Sequence, residues 1–458
     1  MHVRWCITFL VLFSTLAISA ANPKHQKVKS SPKQVRDRYI VAIGADAAGD
    51  LTAILRELAH THKAKFNGSL EAVFRGGDFE MTEDQANAIA EDPRVEAVWE
   101  ATEVQVTGPA PTVVTPRNWN LDRVDARTPR LNNSYSYCMT GRSVRAYVVD
   151  TGIWAGHDEF SNPDPDTGGS RVPLGWDYAS TNRSNNPPCS HSEFNETALY
   201  GGSHGTAVAS VLGGKTLGIA REVVLVPVRA MGCDGLGADV NLIAGLQWIL
   251  QDPGHVVNPR LGRKPPRVVN MSLERPVTVG SGQTPLETAI QALIDNGITV
   301  VVAAGNGNTS TAGSSPARFG PAIVAGGLKG RSASDPDTRW NDGPTTGVPN
   351  PGSNYGPSID VFAPADRVLV AQWTSTTATR DPNDNRYSSG TSFATPLVAG
   401  AIARYMQSYL WTNTPAQMEQ QLINDASTGV HGVNIIDRRD SPNRVLYADP
   451  YCLPIGIH

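Results

Sequence analysis

Three short segments set chemically able side chains among small residues: Val148-Val-Asp-Thr-Gly-Ile153, Ser203-His-Gly-Thr-Ala-Val-Ala209 and Ser389-Gly-Thr-Ser-Phe-Ala-Thr-Pro396. Asp150 closes an apolar run that reads as a buried strand, His204 opens a helix of small residues, and Ser392 stands at the start of a long helix. A serine hydroxyl is a poor nucleophile until a base takes its proton. Histidine is that base, and an aspartate behind it fixes the tautomer and stabilises the imidazolium. This is the equipment of nucleophilic acyl transfer. The tetrahedral intermediate also needs donors for its oxyanion. Ala303-Ala-Gly-Asn306, at the end of the β-branched run Ile298–Ala304, supplies the Asn306 amide, and the Ser392 backbone N–H at the positive end of its helix supplies another.

Singly, each segment reads as a turn or a helix cap. Together they fall in the chain order Asp150, His204, Asn306, Ser392. That order differs from the Ser, Asp, His order of α/β-hydrolases and the His, Asp, Ser order of chymotrypsin-type enzymes.

The elements that must gather these residues alternate along the chain. Arg145–Val149, Val223–Val228, Val268–Leu273 and Ile298–Ala304 read as strands. Asp239–Leu250, Thr391–Leu410 and Thr414–Ala426 read as helices, as does the segment opened by the capping box Thr284-Pro-Leu-Glu287 and stopped by Gly297. The pattern predicts an α/β fold, a parallel sheet with helices on both faces, whose sites collect at the carboxyl ends of the strands. Ahead of it a small α+β unit is expected. Its strands are Tyr39–Ile43, Leu70–Phe74 and Val95–Trp99, and its helices run over Leu51–His60 and from the Thr82–Gln85 capping box to about Glu91. Lys24–Arg38 reads as basic and structureless, and the breaker-rich Thr107–Thr112 with Pro116 as a linker.

Arg4, the apolar run Ile7–Ile18 and the small residues Ser19, Ala20 and Ala21 have the form of a secretory signal, and no later run reaches membrane-spanning length. A net charge of −4 gives no basic footprint for nucleic acid. Of five cysteines, Cys6 would leave with the signal. Cys138, Cys189, Cys233 and Cys452 remain, an even number that suggests two disulfides in an exported chain, with three connectivities open. Several sequons occur, including Asn132, Asn182, Asn195 and Asn308, while that at Asn270 falls in an apolar run and is expected to be buried. Gly213-Gly-Lys-Thr216 lacks the earlier glycine of a phosphate loop, and His60 and His62 sit at a helix end without further ligands.

From about Trp119 to Ala448 the chain resembles the subtilisin-like serine proteases, and within them the proteinase K and aqualysin group. The resemblance rests on the motifs around Asp150, His204, Asn306 and Ser392, with Trp119-Asn-Leu-Asp-Arg-Val-Asp125, Gly218-Ile-Ala220, Asn270-Met-Ser-Leu273, Ser353-Asn-Tyr-Gly356, Ala363-Pro364 and Ser441-Pro-Asn-Arg-Val-Leu-Tyr447. Tyr39-Ile-Val and Asp92-Pro-Arg-Val-Glu96 resemble the inhibitory pro-regions of the same enzymes. The resemblance implies a secreted, extracellular serine endopeptidase made as a self-processed precursor: signal peptide 1–21, basic linker 22–37, inhibitory pro-domain 38–107, processing linker 108–118 and catalytic domain 119–458. Its partners would be protein and peptide substrates and its own pro-domain, with no nucleic acid and no membrane, and the mature form a monomer.

By the same resemblance Asp150, His204 and Ser392 are the catalytic residues, with Asn306 and Ser392 forming the oxyanion hole. An extended substrate would add as a strand between Gly235-Leu236-Gly237-Ala238 and Ser272-Leu273-Glu274, over a pocket walled by Leu273, Ala303, Ala304 and Gly305. The aqualysin pattern implies the disulfide Cys189–Cys233, which leaves Cys138 and Cys452 to pair or to stay free. The chemistry requires no cofactor. Structural calcium stays open, because Lys329 stands near the place of a common calcium-ligating Asp, with Asp335 and Asp337 further on. Three departures stand out: Glu274-Arg275 where the family usually has Gly, Ala207 where it has a second His, and Leu397 where it has His. Two rivals remain open at this level, a catalytically dead binding protein that kept the fold and an enzyme acting on esters or ligating peptides.

Overall fold

The chain divides into two compact units, Met1–Val106 and Thr107–His458, each built around one large sheet. The computed structural model describes residues 25–26, 34–71, 75–102, 112–116, 118–178, 204–233, 235–258, 261–330, 336–342, 351–372, 385–408 and 414–448. The signal segment, Asn182, Asn195, Cys189, Cys452, Asp335 and most of the 108–118 linker lie outside these residues.

In the first unit β1 (His25–Gln26), β2 (Gln34–Ile43), β3 (Lys65–Ser69), β4 (Gly76–Glu80) and β5 (Val95–Thr102) make one sheet in the order β1-β5-β2-β4-β3. Helix α1 (Leu51–Thr61) buries Leu51, Ile54, Leu55 and Leu58, the stripe set by their spacing. Helix α2 (Glu83–Ala90) starts from both arms of the Thr82–Gln85 capping box. Two expectations need correction. The segment Lys24–Arg38 is not structureless throughout, since it contains β1 and the first residues of β2, and Arg38 pairs with Asp78 on β4 through Nε–Oδ1 at 2.8 Å. Of the strand expected at Leu70–Phe74, Leu70 and Glu71 lie beyond the end of β3 and residues 72–74 lie outside the described residues; the Leu70 N–H donates to the Gly76 carbonyl. Antiparallel pairing with β2 and β3 decides the β4 register, not local β-propensity. Gly77 on β4 sits in tight packing: a Cβ there would come within 2.9 Å of the Leu55 and Phe66 side-chain ends, which would have to shift.

The second unit opens with β6 (Thr112–Val114), inside the stretch expected as linker, which pairs antiparallel with β7 (Tyr135–Tyr137); α3 (Trp119–Val124) lies between them. The chain continues through β8 (Arg145–Asp150), β9 (Trp176–Asp177), α4 (His204–Gly213), β10 (Val224–Arg229), α5 (Asp239–Gln251), β11 (Arg267–Met271) and β12 (Arg275–Pro276). It ends through α6 (Pro285–Asp295), β13 (Thr299–Ala303), β14 (Ser314–Ser315), β15 (Ile323–Leu328), β16 (Val361–Pro364), β17 (Val368–Ala371), β18 (Asn385–Ser388), α7 (Thr391–Ser408) and α8 (Pro415–Asp425). Seven strands form the main sheet, all parallel, in the order β16-β15-β13-β11-β8-β10-β9.

Both faces of this sheet are covered, which explains why its strands read as unbroken apolar runs. Ala146, Val148, Val301 and Ala325 pack with α4, α7 and α8 on one face. Tyr147, Val149, Val300, Val302 and Val324 pack with α5 and α6 on the other. The alternation is the two-residue period of a strand. Among the described residues no helix is long and apolar enough to cross a membrane.

One ion pair is wholly enclosed in this unit. Arg123 on α3 holds Asp337 through Nε–Oδ1 at 2.9 Å and Nη2–Oδ2 at 2.8 Å, with both side chains fully buried. Asp337, a carboxylate the sequence offered to calcium, thus has both oxygens engaged by Arg123. Replacing Asp337 by Ala strands a buried guanidinium and is expected to cost about 3–5 kcal/mol. Denaturant unfolding of Asp337→Ala and Asp337→Asn in a Ser392→Ala background checks this, and a loss under about 1 kcal/mol for Asp337→Ala would mean that the pair is not buried as described.

Candidate active site

Asp150 ends β8 and is fully buried. Its backbone carbonyl accepts from the N–H groups of Ala230 at 3.0 Å and Met231 at 3.3 Å, and its Oδ1 accepts from the Thr151 N–H at 2.7 Å. His204 opens α4, and its Nδ1 lies 2.9 Å from each Asp150 carboxylate oxygen. Gly205 makes that approach feasible, because a Cβ there would stand 2.3 Å from the Gly152 carbonyl oxygen and 3.1 Å from the Asp150 Cβ. The Gly205 N–H donates to Thr151 Oγ1 at 3.0 Å, so helix and strand end are also tied beside the pair. With Asp150 accepting at Nδ1, the neutral imidazole carries its proton there and presents Nε2 as a base. Burial alone would push the His204 pKa down, but the charge of Asp150 and its hydrogen bond outweigh burial and hold it above the ordinary 6.5.

Ser392 is the second residue of α7, and its backbone groups are set by two neighbours. Asn306 Oδ1 accepts from both the N–H and the Oγ1 of Thr391 at 2.8 Å, capping the first turn of the helix. Those two bonds fix which end of the amide is oxygen. Among the described residues Asn306 Nδ2 and the Ser392 N–H donate to no other group, so both remain available to an acceptor. At the other end of the Ser392 peptide, Pro396 lies inside the helix and has no N–H to give the Ser392 carbonyl four residues earlier. Ser272 fills that role: its Oγ donates to the Ser392 carbonyl at 2.9 Å and is itself approached by Asn270 Nδ2 at 3.0 Å. The Phe393 ring packs near the His204 ring, with centroids 6.1 Å apart.

Asp150, His204, Asn306 and Ser392 therefore lie at the carboxyl ends of β8 and β13 and at the starts of α4 and α7, on one rim of the sheet. His204, Asn306 and Ser392 line one cleft of about 190 Å³ together with Gly235, Leu236, Ser272, Leu273, Glu274, Ala303 and Gly305. Two expected substrate-binding residues, the wall residue Ala304 and Gly237 of the strand-pairing segment, are not in the lining. Ala304 is fully buried in the core, while Ala303, also buried, reaches the cleft lining. Gly237 sits against Ala230 and Met231 and is not part of the lining. Thr151, Met231 and Thr391 line the cleft although the sequence did not single them out. A signal did exist for the Ser272 bond: a proline six residues into a helix announces an unsatisfied carbonyl four residues back.

Glu274 departs most from expectation in what it touches. Its carboxylate crosses from the Ser272–Glu274 segment to the Gly305–Asn306 segment. Oε1 accepts from the Asn306 N–H at 2.8 Å, and Oε2 accepts from Ser314 Oγ at 3.1 Å and Asn354 Nδ2 at 3.3 Å.

The profile of the subtilase family matches residues 141–441. The extracellular serine proteinase of Thermus sp. (strain Rt41A) is 37% identical over 378 residues, which cover 82% of this chain and 76% of that protein. Subtilisin-like protease 2 of Pseudogymnoascus destructans is 30% identical over 448 residues, 94% of each chain. The crystal structure of a cold-adapted subtilisin-like serine proteinase superposes with a TM-score of 0.55 at 30% identity and covers 73% of this chain and 99% of that one.

The raised His204 pKa fixes two signs. Its ionic contact with Asp150 stabilises the fold below the unfolded imidazole's value of about 6.5, and that contribution is lost as pH rises through the folded value. As a base, His204 works only above that folded value. Histidine NMR titration is expected to place His204 above 6.5, and Asp150→Asn should move it downward. A His204 that titrates below 6.5 in the unmodified protein would contradict the ion-pair geometry.

Proposed function

The chain belongs to the subtilase family and is a serine endopeptidase, and we propose that it works through an acyl-enzyme on Ser392, with His204 as base, Asp150 as its orienting partner and Asn306 as oxyanion donor. The observation that carries this reading is the pairing of a locked base with an unused pair of donors. His204 is held at Nδ1 by Asp150, while Asn306 Nδ2 and the Ser392 N–H stand beside the same cleft with no other acceptor among the described residues.

In this reading Ser392 Oγ attacks the substrate carbonyl carbon as His204 Nε2 takes its proton. The carbonyl oxygen becomes an oxyanion and is met by Asn306 Nδ2 and the Ser392 N–H. The amine leaves with the proton from His204, and water repeats the sequence in reverse to release the acid. The substrate backbone would add as a strand between Gly235–Ala238 and Ser272–Glu274. The first unit would act as an inhibitory pro-region, released by a cut within Gln105–Thr112 that the enzyme makes itself. Export would be directed by residues 1–21, consistent with the relative named an extracellular proteinase. Its disulfides would be Cys189–Cys233 and Cys138–Cys452. Asn132 and Asn308 are among the described sequons that a host performing glycosylation would modify. No step requires a cofactor.

Secretion of wild type and Ser392→Ala, each followed by intact mass and casein hydrolysis, tests the reading. Wild type should appear as a chain of about residues 108–458 that digests casein, and Ser392→Ala as an inactive, unprocessed precursor. Equal processing of both, with no digestion by either, would defeat the proposal. Asn306→Ala should lower kcat about 10²–10³-fold with little change in KM, the scale known for the oxyanion asparagine of subtilisin.

A further inference from the structure

We propose that Glu274 makes this endopeptidase select a basic residue, Lys or Arg, on the amino side of the bond it cuts. The inference rests on the endopeptidase reading and names its substrate class. When a substrate carbonyl carbon sits at Ser392 Oγ with its oxygen toward Asn306 Nδ2, the residue that owns that carbonyl sends its side chain beside Ser392. There the cleft is bounded by Ser272, Leu273 and Glu274 on one side and by Ala303, Gly305 and Asn306 on the other. The Glu274 carboxylate spans this gap and lies flat against Gly305, where a Cβ would come within 1.9 Å of Oε2. Gly305 also has φ +99°, so glycine is required there on two counts.

The carboxylate is held in place but not neutralised. Its three partners are neutral donors: the Asn306 N–H, Ser314 Oγ and Asn354 Nδ2. Among the described residues Glu274 forms no ion pair, and its neighbour Arg275 turns away to Asp239 at 3.2 Å. Nor is Glu274 sealed off, since the residue is exposed. It is the one carboxylate among the described residues that line the cleft, and His204 is the only other titratable group there. Two carboxylate oxygens offer about four acceptor sites, so three bonds leave room for an incoming donor. A large apolar side chain would strip water from the charge and return nothing, and an acidic one would be repelled. A Lys ammonium or Arg guanidinium gains a charge-assisted bond instead.

A peptide series that differs only in the residue before the cut (Arg, Lys, Ala, Leu, Phe, Glu) decides this with wild type, Glu274→Gln and Glu274→Gly. Labelling of Ser392 by a fluorophosphonate reports that each variant has folded its site. Wild type is expected to favour Arg and Lys over Leu and Phe by about 10- to 100-fold in kcat/KM. Glu274→Gln should erase that ratio while still taking the label, and Glu274→Gly should shift preference toward Leu and Phe. Wild type that cuts the Leu, Phe or Ala peptide as well as the Arg peptide overturns the inference, as does a labelled Glu274→Gln that keeps the basic preference. If no peptide is cut and wild-type Ser392 takes no label, the endopeptidase reading itself fails and the inference falls with it.

Discussion

Asn306 Oδ1 accepts two hydrogen bonds from Thr391, and much of the site follows from that one oxygen. It caps the first turn of α7, which presents Ser392. It joins the end of β13 to the start of α7, two elements far apart in sequence. It also consumes the acceptor end of the amide and leaves the donor end for the cleft. Without that cap, the helix start would carry an orphan N–H in a buried position, and the amide would be free to turn its oxygen toward a developing oxyanion. The cap and the proposed oxyanion donor are the two ends of one side chain.

The same logic governs the rest of the rim. Polar groups buried in a low-dielectric interior must be paired, and the pairings double as positioning devices. Pro396 removes a donor from α7, and the vacancy is met by Ser272, which ties the carbonyl of Ser392 to the segment after β11. Asp150 is buried with its charge, and His204 is held against it by a helix that only Gly205 allows so close. Arg123 and Asp337 obey the same rule away from the cleft, where the pair contributes to integrity and not to chemistry.

Glu274 obeys it only in part, and that difference gives the cleft its character. Neutral donors hold the carboxylate in place without filling all of its acceptor sites or cancelling its charge. A charge left in a cleft is a preference for whatever completes it. The backbone framework that would bind any extended chain is thus overlaid by a single group that discriminates between side chains.

Much of this was legible from the residues alone. Asp150, His204, Asn306 and Ser392 could be picked out because chemistry demands those types beside small residues, and the capping boxes at Thr82 and Thr284 because their two-way bonds are local. The parallel sheet was legible from unbroken β-branched runs, whose residues face apolar layers on both sides. Local sequence could not reach what depends on pairing across distance. Strand β4 was not picked out, because its register is set by β2 and β3 and not by its own apolar content. Ala304 was put on the cleft wall because a run of small residues does not reveal which of two neighbours faces inward. The direction of the Glu274 side chain was open for the same reason: its three donors come from segments 32 to 80 residues away in the chain. The sequence by itself determined which groups could react and which segments would become strands and helices. Tertiary structure alone decided which amide end faces the cleft, what replaces the donor that Pro396 lacks, and where the one uncompensated carboxylate of the described lining points, because each of these is settled by a partner that the local chain does not contain.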